Sequence, residues 1–317
     1  MRRALPLFAA ALLATPLYPQ DAPPTIKVDV NLVNVLFSVR NKSGGLVGNL
    51  EKSDFTIAEN GQQQEIKYFT READLPLTLG LLVDVSLSQQ RLIETEKRAA
   101  SAFFSQVLRK KDEAFLISFG EDAELLQDYT NSARLLNSGL DQLKLSAPVG
   151  GLHPGPVPTM SHMRGTILYD AVYLATAEQL RGQVGRKAVV LITDGIDEGS
   201  RYTKEKAIEA AQKADAIIYS IEYMDRGAYG MFMPSDSALR QMSEDTGGRV
   251  FRVDRKHSLD DVFREIQDEL RSQYAIGYAP TNSARDSTFR KIDIRTTSKD
   301  LKVQARKGYY ATPAPAE

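Results

Sequence analysis

Hydrophobic and polar positions alternate along the first patterned stretch. From Thr25 to about Phe69 apolar residues recur with period two, the spacing of a half-buried strand. Ile26, Val28, Val30 and Leu32 share one phase, and Val33, Val35, Phe37 and Val39 share the other. The phase flips at Leu32-Val33, which predicts a bulge or a strand passing between two packing partners. "NKSGG" (41–45) reads as a turn. Within 54–69, Asn60-Gly61 reads as the type I′ turn of a hairpin, because that pair tolerates positive φ. This first unit is expected to be all-β.

After Leu75 the rhythm changes to alternating strands and helices. Strands are predicted near 77–84, 113–119, 123–129, 187–193, 216–223 and 249–253. Helices are predicted near 89–108, 132–143, 167–181, 203–214, 236–246 and 259–271. In the first helix Ile93, Ala100, Phe103, Phe104, Val107 and Leu108 gather on one side. This alternation predicts a doubly wound α/β domain. Only Glu121 and Asp122 separate "EAFLISFG" from "AELLQDYT", too few for a parallel crossover, so these two strands must form an antiparallel hairpin. The expected sheet has six strands and is mostly parallel, with one antiparallel edge strand.

Past Tyr274 the strand rhythm returns in "YAIGYAP", "FRKIDIRT" and "LKVQARKGYY". Neither terminal set of strands makes a good core alone. The economical arrangement joins 25–72 and 274–312 as one small β-sandwich, with the α/β domain (75–272) inserted between them.

Composition narrows the function. Among 317 residues, 42% are hydrophobic, 26% are charged and the net charge is −1. There is no global electrostatic basis for binding nucleic acid or an anionic membrane surface. The absence of cysteine excludes disulfides, thiol nucleophiles and cysteine-ligated zinc. Three histidines, His153, His162 and His257, argue against a histidine-rich metal site. Arg2 and Arg3 ahead of the apolar run "ALPLFAAALLA" (4–14) read as an export signal within 1–20. A secreted or periplasmic mature chain without a membrane span is expected.

The chemistry gathers at the strand ends. In a doubly wound sheet of order 3-2-1-4-5-6, ligands bind beyond the carboxyl ends of strands 1 and 4, where the order reverses. Strand 1 ends at Asp84, and Ser86 and Ser88 follow at spacing two. Strand 4, "AVVLIT", ends at Asp194-Gly195. Thr166, after Gly165, precedes the helix entering strand 4. Taken singly, Ser88 and Thr166 also suit helix caps. Together, two carboxylates and three hydroxyls without nitrogen or sulfur describe a site for a hard cation such as Mg²⁺. Hydroxyls donate little charge, so such an ion would stay electrophilic and accept a carboxylate from outside.

Asp84-x-Ser86-x-Ser88, Thr166 and the "TDG" aspartate Asp194 resemble the metal-ion-dependent adhesion site (MIDAS) of von Willebrand factor A (VWA) domains, which include the integrin I domains. The resemblance covers roughly 75–272, and the flanking "DFTIAENGQ" and "RKGYY" look like a bacterial secreted subfamily. It implies Mg²⁺- or Mn²⁺-dependent binding of a protein that presents Asp or Glu to the metal, often with movement of the last helix. One departure is Leu87, where many members carry glycine. A second is Gln89-Gln90-Arg91, which lacks the acidic ligands of an adjacent calcium site.

Partner-contact candidates surround this face. Leu87 has no coordinating role. The Gly/Pro-rich loop 145–165 carries His153 and His162 and leads into Thr166. Asp197 lies in "TDGIDEGS", and Tyr229 and Phe232 lie in the apolar loop 224–236. No general base or nucleophile–histidine pair is evident, so a non-catalytic, cation-dependent binding module is expected. The alternatives are a structural component of an envelope assembly, with the metal mainly stabilising, and, less favoured, a metal-dependent hydrolase.

Overall fold

The first patterned stretch folds as β1 (Val33–Asn41), β2 (Phe55–Glu59), β3 (Gln62–Gln64) and β4 (Ile66–Arg71). The structure is a computed structural model that describes residues 32–71, 75–146, 165–225 and 235–312. Val33, Val35, Phe37 and Val39 of β1 all face inward, whereas Leu32 is exposed just ahead of the strand. The opposite phase at 26–30 lies outside the described residues. Between β2 and β3, Asn60 and Gly61 take φ values of 50° and 83°, the paired positive angles of a type I′ turn.

The α/β part comprises β5 (Leu77–Asp84), α1 (Ile93–Val107), β6 (Glu113–Phe119), β7 (Ala123–Thr130), α2 (Ala133–Leu140), α3 (Leu168–Tyr173), β8 (Arg186–Thr193), α4 (Lys204–Lys213), β9 (Ala216–Glu222), α5 (Ser237–Thr246), β10 (Val250–Arg252) and α6 (Leu259–Arg271). The strand order is β10-β9-β8-β5-β6-β7. The β5–β6, β5–β8, β8–β9 and β9–β10 pairs are parallel, and β7 pairs antiparallel with β6 at the edge. This doubly wound sheet is the architecture that the VWA resemblance implies. Every residue of β5, β8 and β9 is buried, as expected for central strands covered on both faces.

One face packs against α1 and α6, where Phe103 and Phe263 stack with ring centroids 4.4 Å apart. The other face packs against α3, α4 and α5 through Leu168, Val172, Ala211, Leu239 and Met242. Burying each large apolar side chain contributes about 1.5–3 kcal/mol, so these two layers position the strand ends.

Two departures from the sequence reading concern helices. α1 begins at Ile93, because Leu87–Gln89 first form a single 3-10 turn. The helix that starts at Leu168 widens into a π-helical segment over Leu174–Leu180.

The C-terminal strands are β11 (Tyr274–Tyr278), β12 (Phe289–Thr296), β13 (Leu301–Ala305) and β14 (Gly308–Tyr310). They interleave with the N-terminal strands in two sheets, β13-β1-β11-β4 and β14-β12-β2-β3. Phe37, Phe55, Ile57, Tyr274, Ile276 and Ile292 share their core. Inside it, Tyr278 and Tyr309 donate to Glu59 Oε2 at 2.8 and 2.9 Å, and Arg290 Nη1 reaches Glu59 Oε1 at 3.3 Å. On α6, buried Glu269 accepts from Ser38 of β1 and from Arg249, each at 3.1 Å, and from Arg40. The last helix is thereby tied to the sandwich. Among the described residues no helix is long and apolar enough to cross a membrane.

Candidate metal centre

β5 and β8 are neighbours and both end at the same rim. Asp84 closes β5 and is 0% exposed, and Asp194 follows β8 and is 2% exposed. The chain turns after each carboxylate so that nearby amides face back onto it. Ser86 N donates to Asp84 Oδ1 at 2.9 Å, and Ile196 N donates to Asp194 Oδ1 at 3.1 Å. Gly195 makes the second turn possible, with φ at +86°.

The hydroxyls link the two halves. Ser88 Oγ donates to Asp194 Oδ2 at 2.5 Å, and Ser86 Oγ lies 2.9 Å from Ser88 Oγ. Neither serine caps a helix: Leu92 stands at the α1 N-cap, and no side chain caps the 3-10 turn. The turn at Leu87–Gln89 delays the helix and swings Ser88 toward Asp194. Leu87 at its start is 52% exposed.

Thr166 is held by its backbone against the loop that follows Asp194. Its carbonyl accepts from Glu198 N at 3.0 Å and Gly199 N at 3.2 Å, in the loop after Asp194. The next residue, Ile167, donates to Gly120 O at 2.9 Å, at the end of β6. Ile167, not Thr166, is the N-cap of α3. The threonine hydroxyl is therefore not used as a cap.

Three contributors escaped the sequence reading. Thr193, 0% exposed, donates to Asp84 Oδ2 at 2.6 Å. Gln89, also 0% exposed, donates from Nε2 to Asp194 Oδ2 at 3.3 Å. Glu96 on α1 is 1% exposed, and neither of its carboxyl oxygens has a hydrogen-bond partner among the described residues. Its signal was present in the helical spacing, since Glu96 falls in phase with Ile93, Ala100 and Phe103 on the apolar side.

The electrostatics are those of acids crowded together. Burial, then the charge of Asp194, pushes the Asp84 carboxyl up to about 6, against the hydrogen bonds of Ser86 and Thr193. Burial, then Asp84, then Asp194, holds Glu96 well above the carboxylate range. Among the described residues there is no grouping of three or more His, Asp and Glu arranged to hold a metal ion. The donor set at this rim is of another kind, with two carboxylates and hydroxyls. Two buried carboxylates set among hydroxyl oxygens fit a hard divalent cation by charge and by chemistry.

The remaining candidates divide. Asp197 Oδ1 accepts from Tyr169 N at 3.2 Å and from Ser200 Oγ at 2.5 Å, which ties the loop after β8 to α3. Asp170 does the same in reverse, accepting from Arg201 N and Tyr202 N at 2.8 Å each. His153, His162, Tyr229 and Phe232 lie outside the described residues.

No protein-family model matches the chain. An uncharacterized protein of Borreliella burgdorferi is 23% identical over 257 residues, covering 75% of this chain and 66% of that protein. Among solved structures the chain is similar to proximal thread matrix protein 1 of the mussel byssus, with zinc in its MIDAS motif (14% identical, TM-score 0.48, 67% of this chain and 50% of that one). It is also similar to the conserved hypothetical protein BatB of Bacteroides thetaiotaomicron (19% identical, TM-score 0.42, 62% and 97%). A third is the PilB minor pilin of Streptococcus sanguinis (12% identical, TM-score 0.44, 67% and 64%).

Proposed function

We propose that this chain is an exported protein-binding module whose strand-end rim holds Mg²⁺ or Mn²⁺ and captures an Asp or Glu side chain of a protein partner. Asp84, Ser86, Ser88, Thr166 and Asp194 would hold the cation. The observation that carries the reading is the joining of Ser86, Ser88 and Asp194 across the β5–β8 boundary, beside a buried Asp84 that is in no ion pair among the described residues. Bound there, the ion would supply the positive charge that a partner carboxylate seeks. Exposed Leu87 on the same rim would touch the partner beside that carboxylate.

The reading is non-catalytic. Among the described residues no histidine is hydrogen-bonded to a hydroxyl of the rim, and His257 instead lies 2.7 Å from Glu265 of α6. Calorimetric titration with Mg²⁺, then pull-down from envelope extract with Mg²⁺ or EDTA, tests it. Metal binding that is lost in Asp194→Ala, together with EDTA-sensitive capture, supports the module. Partners retained by Asp194→Ala would overturn the capture mechanism and favour a structural role for the ion. Absence of Mg²⁺ and Mn²⁺ binding would overturn the site itself.

A further inference from the structure

A second concave site lies at the other end of the parallel strands. A cavity of about 330 Å³ opens between β1 of the sandwich and the amino-terminal ends of β8 and β9. The length of β8 separates it from the candidate metal centre, roughly 20 Å at the rise of an extended strand. A smaller cavity of about 220 Å³ shares Asn34, Gln212, Asp215 and Arg306 with it.

Two cations face this space, and one acid balances one of them. Arg306, in the turn after β13, has a side chain only 10% exposed. Its guanidinium pairs with Asp215 and donates from Nη2 to Asn34 O at 2.8 Å. Its Nε is buried with no acceptor among the described residues. Lys187, the second residue of β8, is 8% exposed. Its ammonium forms no hydrogen bond or ion pair among the described residues. Asp215 is committed to Arg306, so the cavity wall keeps one uncompensated positive charge. A largely buried charge without a partner is costly. Arg306 Nε–H is enclosed by protein, so the Lys187 ammonium is the cation left to meet a ligand. Burial depresses the lysine; Asp215 opposes that and Arg306 adds to it, which places all three groups in one field.

The rest of the wall is apolar. Leu36, Val184, Ala216 and Ile217 line the same cavity. A monoanionic carboxylate with an apolar chain matches one uncompensated positive charge beside this wall, whereas a phosphate dianion exceeds that charge and has no apolar surface to offer.

We propose that this cavity is a binding site for a small organic carboxylate, its anionic head at the Lys187 ammonium and its apolar body against Leu36, Val184 and Ile217. The site is independent of the metal centre.

Butyrate is the probe, with 1-butanol as its neutral counterpart and inorganic phosphate as the competing anion. Calorimetric and thermal-shift titrations use the full chain in EDTA, so that no divalent ion offers the carboxylate another seat. Butyrate is expected to bind saturably and raise Tm, with 1-butanol and phosphate each at least about tenfold weaker. Lys187→Met is expected to weaken butyrate at least about tenfold while raising the Tm of the ligand-free protein, because it removes a buried charge. Lys187→Gln serves as a second variant that keeps a polar group at the position, and circular dichroism verifies the fold of both. Equal butyrate binding by wild type and both variants would overturn the proposal, as would tighter binding of phosphate or no saturable binding of butyrate.

Discussion

Ser88 Oγ donates to Asp194 Oδ2 at 2.5 Å, joining residues 106 positions apart at the boundary between β5 and β8. This bond has a functional and a structural side. It brings a hydroxyl from the turn after strand β5 onto a carboxylate from the turn after β8. It also holds the 3-10 turn that precedes α1 and lifts Leu87 into solvent.

Asp84 sets a pH dependence. Its carboxyl titrates at about 6 in the folded protein, against an ordinary 3.8. The folded value is raised, so the stability from this group is present below about pH 4 and lost as pH rises through 6, amounting to about 3 kcal/mol. In EDTA, Asp84→Asn removes that loss and should gain on wild type as pH rises from about 4 to about 6.5 in urea denaturation. Mg²⁺ should reverse the order for wild type alone, since only the ionised carboxylate serves the cation. A wild-type-minus-variant difference that does not change with pH would contradict the assignment.

Burial and the charges of Asp84 and Asp194 disfavour the ionised form of Glu96 in the metal-free fold. Both oxygens are buried without partners. Glu96→Met should therefore raise the stability of the metal-free protein by about 1–3 kcal/mol, the cost of an unsatisfied buried polar group. Guanidinium denaturation in EDTA measures it, and a loss of similar size would show that Glu96 is satisfied in solution.

Leu87 separates contact from folding. As a half-exposed side chain it contributes little to the core, so Leu87→Ser should change stability by no more than about 0.5 kcal/mol. Mg²⁺ binding should also be unchanged, while partner capture in the pull-down weakens. If capture is undiminished, the partner does not touch this residue.

Glu59 is the polar centre of the sandwich. It is 4% exposed and serves Tyr278, Tyr309 and Arg290 together. Removing it in Glu59→Ala takes the buried carboxylate from Arg290, 1% exposed, leaves it only the more distant Asp286 at 3.9 Å, and should cost about 3 kcal/mol. Thermal unfolding followed by circular dichroism measures the loss, and a fall in Tm of less than a few degrees would contradict it.

The sheet was legible because its signals are local. An apolar run that ends in Asp84 marks a buried strand, the two-residue gap at Glu121-Asp122 forces a hairpin, and Asn60-Gly61 marks a turn. Strand order followed because right-handed crossovers leave few topologies for such a rhythm. The identities of the rim residues were equally readable, since Asp84, Ser86 and Ser88 stand at spacing two in one short stretch.

Direction and partnership were not readable. Ser88 as a helix cap and Ser88 on Asp194 are the same letter in the sequence, and only the delayed start of α1 at Ile93 separates them. Glu96 stands in phase with the apolar side of α1, but its nearness to Asp84 and Asp194 arises only when the sheet packs against that helix. Lys187 looks like an ordinary strand-end lysine until Arg306 and Asn34, from the sandwich, close a cavity around it. Periodicity is encoded along the chain by backbone geometry, whereas burial and charge pairing arise between segments that meet only when the layers pack.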